Sequence, residues 1–481
     1  MLLRFSTVVS TAFTLSVLGL SGCGGGDGGS SGGTAGGTGI AGGGAGAGTS
    51  AGSGGAAAGG GSGGAAHSGF GGSGGAAHSG FGGSGGSTLA GGASGVEGKF
   101  EVPTMKIDVL GGAAVTSRDE YVGCTISIDG KGSFSSYEGA ASIRGRGNST
   151  WLWYDKKPYR IKLNEKSEIL GLGSDKDWVL LANYRDPTFL MNAFAFAVAD
   201  FMKLPFTNHS RFVEVTLNGS YMGLYQLTEQ IEQGTNRVAV ADVGGLLLSL
   251  DEDDGPAAAP TAGDNFTSTV FELPVCVKYP ENQTAAQLAA IKAELAKVES
   301  AVQAANYDAV AQLVDVASLI DFLLVQELTY NVELVTPRSM YLHRDPGGRF
   351  VLGPVWDFDG GFDFDWTDMM TSHDYFAAQD LVMGADPARS GTVSSFWVNL
   401  FKNPRFVSEF KARWRALSPT LLPHAWGIME NDVASLSAAL ERNAERWPIG
   451  KQHDVEIARM KQWLETRVLT LNSAIDAYPN Q

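Results

Sequence analysis

The sequence predicts an α+β protein in two lobes, a β-rich half followed by a mainly helical half. Three observations carry that reading. Some 380 residues beyond about position 100 are ordinary globular sequence, more than a single hydrophobic core usually serves. Up to about residue 230, short apolar runs alternate with Gly, Asp and Ser turns around one helical stretch. From about Thr284 onward the apolar residues recur at helical spacing.

Taken in order, residues 1–22 have the layout of a secretory signal. Arg4 supplies the charge, Phe5 to Leu18 the apolar centre, and Leu20-Ser21-Gly22 the small residues before a cut. Cys23 directly after them is the pattern of a bacterial lipoprotein signal, in which the thiol is acylated. An ordinary signal peptide with an incidental cysteine is the alternative. The apolar stretch falls short of the ~20 residues that span a bilayer. Residues 23–98 are almost wholly Gly, Ala, Ser and Thr, with Gly-Gly-Ala-Ala-His-Ser-Gly-Phe repeated in tandem around His67 and His78. Such a segment cannot bury enough apolar area to offset its backbone entropy. It reads as a disordered tether reaching roughly 50 Å, with the two histidines solvated.

The leading region 99–135 reads as β-rich, with Thr125 to Asp129 a strand running into a turn at Gly130. Residues 136–481 form the main domain. Its expected strands are Tyr159–Leu163, Trp178–Ala182, Phe212–Leu217 and Tyr221–Leu227, the last two joined by the hairpin signal Asn218-Gly219. Asp186-Pro187 is expected to open a helix from Thr188 to about Met202. In the helical half, Ala285–Ala305, Ala317–Leu328, Phe401–Leu417, Val433–Trp447 and Val455–Ala477 read as helices. A hairpin is expected among them, from Tyr341 through Pro346-Gly347-Gly348 to Phe350–Phe358.

A formal charge of −16 and a pI near 4.9 argue against a nucleic-acid partner, which requires a basic stripe. They suit an exported domain, or carboxylates that collect divalent cations. Besides Cys23, only Cys124 and Cys276 remain. They either pair in an oxidising compartment or stay as two buried thiols.

The most informative segment is Gly353-Pro354-Val355-Trp356-Asp357-Phe358-Asp359-Gly360-Gly361. On a strand, Asp357 and Asp359 share one face while Trp356 and Phe358 anchor the other. Two carboxylates so close repel unless a cation or a proton lies between them. Oxygen donors beside a glycine turn suit Mg²⁺, Mn²⁺ or Ca²⁺. A solvated acidic strand end fits the same pattern. A second cluster, Arg144-Gly145-Arg146-Gly147-Asn148, followed by Arg160 and Lys162 on one strand face, offers forked and amide donors for phosphate oxygens. A solvated basic face fits that one equally.

Several strings, in order, resemble the spore-coat protein H (CotH) family of atypical kinases. They are Arg144–Trp151, Lys156–Leu163, Trp178–Asp186, Leu217–Glu229 and Gly353–Asp359. The resemblance runs from about Met105 to Tyr478. It implies a two-lobed atypical protein-kinase-like fold with ATP between a β-rich and a helical lobe. Asp357 is similar to the metal-binding aspartate that ends a kinase's catalytic hairpin, and Lys162 to a phosphate-contacting lysine. Glu229 falls where the chain should cross between lobes. Asn331-Val332-Glu333 matches a family Asn-Val-Asp whose aspartate orients the accepting hydroxyl; here Glu333 is one methylene longer.

The expectation is therefore an atypical kinase that moves the ATP γ-phosphoryl to Ser or Thr of a surface or envelope protein. Glu333 and Asp357 are its catalytic residues. Asp357 and Asp359 hold Mg²⁺ or Mn²⁺, and Arg144, Arg146, Asn148, Arg160, Lys162 and Glu229 hold the nucleotide. The lipid on Cys23 anchors the protein to the membrane at the bacterial cell envelope, outside the cytoplasm. The alternative is a catalytically weak or inactive kinase-fold module for adhesion or for coat or envelope assembly. A glycan-binding or hydrolytic module using paired carboxylates is a third class that the tryptophans permit.

Overall fold

A computed structural model describes residues 101–252, 263–335, 337–365, 373–377, 382 and 395–478. The signal segment, Cys23 and the tether lie outside them. Strands β1 (Thr104–Val109), β2 (Val122–Asp129) and β3 (Tyr137–Gly145) lead into a short helix, α1 (Ser149–Leu152). Then come β4 (Tyr159–Ile169), β5 (Leu172–Leu181), helix α2 (Met191–Met202), β6 (Ser210–Leu217) and β7 (Ser220–Glu229). The seven strands close into a barrel in the order β1-β2-β3-β4-β5-β7-β6. Closure comes from β1, which pairs antiparallel with β2 and parallel with β6. No open edge is left in that sheet. The 99–135 region thus supplies two wall strands of the same barrel as the residues after 136.

Alternation explains the barrel. Ile107, Ile126, Ile143, Ile161, Trp178, Val213, Val215 and Leu227 point inward and are almost wholly buried. Each such side chain contributes about 1.5–3 kcal/mol on leaving water. Asn218 and Gly219 both have positive φ (49° and 78°), the conformation the tight turn between β6 and β7 requires. Cys124 is a free thiol inside this barrel, and burial pushes its pKa up to about 11. It therefore does not pair with Cys276, which belongs to a different sheet.

Of a second, five-stranded sheet only the hairpin after Tyr341 was expected from the sequence, and its other three strands went unread. Strands β8 (Leu246–Leu250), β9 (Asn265–Thr267) and β10 (Pro274–Tyr279) precede helices α3 (Ala285–Gln303), α4 (Tyr307–Leu313) and α5 (Val316–Leu328). Strands β11 (Met340–Arg344) and β12 (Val351–Leu352) follow, giving five strands in the order β12-β11-β8-β10-β9. The central strand, Leu-Leu-Leu-Ser-Leu, is buried on both faces, so it shows no alternation to detect.

Helices α6 (Ser395–Leu400), α7 (Pro404–Arg446) and α8 (His453–Ala477) complete the chain. The predicted helices Phe401–Leu417 and Val433–Trp447 are one 43-residue helix, which continues across Pro419 and Pro423. Asn403 caps its start by accepting from the N–H groups of Arg405 and Phe406, with Pro404 in the first turn. Helix α2 starts three residues later than expected. Asp186 and Pro187 lie before it, and the Asp186 carboxylate reaches the N–H of Met191 at 2.9 Å. A second hydrophobic core, with Phe194, Phe322, Trp397 and Trp414 at its heart, packs these helices on the five-stranded sheet.

The barrel is tied to α7 by polar contacts. Fully buried Lys156 donates to the carbonyls of Ala182 and Leu224 and to Asn443 Oδ1. Arg442 grips Glu214 at 2.6 Å. Among the described residues, no helix is long and apolar enough to cross a membrane.

Candidate active site

The strand expected to carry Asp357 and Asp359 ends early. Gly353 has φ 115° and Pro354 has no N–H to donate, so pairing stops at Leu352. The acidic residues sit instead on a turn, with Asp357 itself in the left-handed region at φ 66°. Trp356 and Phe358 are buried as expected. Trp356 stacks on Phe196 of α2, 6.0 Å between centroids. The turn is pinned on several sides. Asn192 Oδ1 of α2 accepts from the N–H of Phe358 at 2.9 Å, Thr329 O accepts from that of Phe362, and Tyr375 Oη donates to the carbonyl of Asp359 at 2.7 Å. Such anchoring holds a left-handed aspartate that would otherwise cost about 1–3 kcal/mol.

The two carboxylates are neighbours with opposite titration. Burial pushes Asp357 well above the ordinary carboxylate range, and the charges of Asp359 and Glu333 push it further. Burial acts on Asp359 too, but the Arg185 guanidinium and a hydrogen bond from Asp357 outweigh it and hold that carboxyl low. The hydrogen bond between the two carboxyls acts in opposite senses, raising Asp357 and lowering Asp359. Arg185 Nη2 donates to Asp359 Oδ1 at 3.0 Å and Arg185 Nε to Oδ2 at 3.3 Å. Asp357 keeps partial solvent access, with Ser339 Oγ 3.5 Å from its Oδ2.

The structure brings some of the predicted residues to this turn. Arg146 lies over the Trp356 ring, 5.4 Å from its centroid, and its positive charge acts on both Asp357 and Asp359. Glu333 follows Asn331, whose Oδ1 accepts from the Glu333 N–H at 3.2 Å. It lies near enough for its charge to act on Asp357. Asn148 belongs to the same loop as Arg146. Its Oδ1 and the carbonyl of Gly147 both accept from Arg118 Nη1, at 2.7 and 2.8 Å.

Most of the other predicted residues have partners of their own in and around the barrel. Arg144 and Arg160 face each other across β3 and β4, on the outer face of the barrel. Arg144 lies over Tyr121. Arg160 is held by Asp177 at 2.7 Å and by Glu232 at 3.6 Å, so its charge is already balanced. Lys162 shares that face and makes no ion pair among the described residues. Glu229, the last residue of β7, is buried and accepts from the N–H of His209 at 2.8 Å, with the His209 ring 3.1 Å away. Gly145 makes room for the Trp151 ring, from which a Cβ there would lie only 2.4 Å away.

Arg118 and Arg185, which hold Asn148 and Asp359, were not among the residues singled out in the sequence. Each is tied to its partner by tertiary contact, Arg185 to an aspartate 174 residues away. For Arg185 the available signal was its place in the string Trp178–Asp186 that carries the family resemblance.

The acidic turn fits a divalent cation. Its donors are carboxylate oxygens, and a cation there would offset the repulsion that Asp359 and Glu333 exert on Asp357. Among the described residues, no group of three or more His, Cys, Asp or Glu is placed to hold a metal. Mg²⁺ needs no such cage, because one or two carboxylates and the substrate's phosphates suffice.

None of the curated proteins searched matches this chain. A family model described as CotH kinase protein matches residues 143–471, from within β3 to within α8. That span covers most of the folded chain and includes Arg146, Arg185, Glu333 and the acidic turn, so the chain belongs to the CotH kinase family.

Proposed function

We propose that this protein transfers the γ-phosphoryl group of ATP to a Ser or Thr hydroxyl of a surface or envelope protein. Family membership supports a kinase-like activity, and two separate hydrophobic cores support a two-lobed arrangement. The observation that carries the reading is the position of Arg146 over Trp356, beside Asp357 and Asp359. It sets a phosphate-type donor next to a cation-type acceptor. Asp357 would hold Mg²⁺ or Mn²⁺, which neutralises phosphate charge when bound. Arg146 would hold phosphate oxygens and Asn148 would stiffen its loop. Glu333 would orient the acceptor hydroxyl and take its proton as the new oxygen–phosphorus bond forms and the bond to the ADP oxygen breaks. The lipid on Cys23 and the tether would present the domain at the envelope.

One observation favours the second reading, a weakly active or inactive module for adhesion or assembly. The charge of Glu333 opposes that of the metal-type carboxylate Asp357, and transfer geometry tolerates little misplacement. Incubation with γ-labelled ATP and Mn²⁺ or Mg²⁺, with envelope proteins as acceptors, separates the two. Label that disappears in Asp357→Ala supports the kinase; no label with either metal supports the module.

A further inference from the structure

The acidic turn presents two carboxylates, but only one is open. Asp359 is engaged on both oxygens by the Arg185 guanidinium, at 3.0 and 3.3 Å. That guanidinium cannot swing away easily. Arg185 is 3% exposed, lies 4.6 Å from the Phe364 ring centre and 5.6 Å from that of Tyr154, and its carbonyl meets the His373 ring nitrogen at 3.2 Å. The next residue, Asp186, is fully buried and binds the start of α2, whose Asn192 in turn holds Phe358. One short segment therefore fixes the turn from both sides. Guanidinium stays charged at any working pH. Sites that hold two divalent ions about 3.5–4 Å apart share carboxylates between them, and here a permanent cation already occupies the second carboxylate.

We infer that Arg185 stands in place of a second metal ion, so that the acidic turn takes a single divalent cation, through Asp357. Arg185 is then a positioning residue. The inference rests on the reading of this turn as the metal site of phosphoryl transfer, and the test separates the two. The full chain is titrated with Mn²⁺ in the presence of ADP, and free Mn²⁺ is counted by electron paramagnetic resonance. One ion per chain is expected, lost in Asp357→Asn and retained in Arg185→Lys, which keeps the charge. Arg185→Gln releases Asp359 and is expected to admit a second, weaker ion. Two ions on the wild-type chain, or one on a folded Arg185→Gln chain, overturn the inference and leave the metal site standing. No bound ion on a wild-type chain with intact circular dichroism overturns the metal site itself. Should Arg185→Gln fail to fold, the wild-type count alone decides.

Discussion

Arg146 lies 5.4 Å above the centre of the Trp356 ring, so the loop that follows β3 meets the turn carrying Asp357 and Asp359. The two segments are more than two hundred residues apart in sequence. Stacking on Trp356, itself stacked on Phe196 of α2, fixes where the guanidinium sits. The acidic pair fixes which charge is wanted there.

Arg146→Ala is expected to weaken Mg²⁺-ATP binding by roughly 10–100-fold, the loss of one charge-assisted contact of about 1.5–3 kcal/mol. Arg146→Lys should recover part of it, since a point charge replaces the fork. Isothermal titration checks both; an unchanged Kd for the alanine variant would remove Arg146 from the site.

Glu333→Asp restores the shorter carboxylate of the family's Asn-Val-Asp. A displacement of about 1 Å can cost on the order of a hundredfold in rate, so turnover should rise by roughly tenfold. Nucleotide affinity should change little. Equal or lower turnover in a single-turnover assay would show that Glu333 is not what limits transfer.

Arg467 and Glu327 are both fully buried, and the arginine donates to the carbonyl of Glu327 at 2.7 Å and to its carboxylate at 3.4 Å. Arg467→Leu strips that carboxylate of its cation and should destabilise the helical core by about 3–5 kcal/mol. Urea denaturation followed by tryptophan fluorescence measures it, and a loss below about 1 kcal/mol would show that the Glu327 carboxylate does not depend on Arg467.

His343 on β11 is buried with its Nε2 lacking a hydrogen-bond partner among the described residues. Burial brings its pKa down to about 4. Above pH ~6.5 it is neutral folded and unfolded, so it adds no pH dependence. As pH falls from there to about 4, the unfolded chain takes up a proton that the folded chain refuses. Stability then falls by up to about 3 kcal/mol. His343→Leu should shrink the difference between unfolding midpoints measured at pH 7.5 and pH 4.5; an unaltered difference assigns the acid sensitivity elsewhere.

What the sequence made legible follows physical lines. Barrel strands could be read where one face is core and the other is not, as at Ile126 and Ile128 or Ile161 and Leu163. The turn between β6 and β7 could be read because Asn-Gly suits positive φ. Strand β8 could not, because burial on both faces erases alternation. Helix α7 looked like two helices because Pro419 and Pro423 are ordinarily breakers. In the site, Asp357 and Arg146 announced themselves by composition. Arg160 did so equally well, yet it is consumed by Asp177 and Glu232. No local pattern distinguishes a cation placed beside the acidic turn from one held by carboxylates elsewhere. The same holds for Arg185, whose role depends wholly on a distant aspartate.

The most direct test is calorimetric titration of ATP into the full chain with Mg²⁺ or Mn²⁺, and with chelator instead. The expected result is saturable heat at about one nucleotide per chain, present only with metal and absent in Asp357→Ala. Heat that persists in that variant, or no heat with either metal, would contradict a nucleotide site built on the acidic turn.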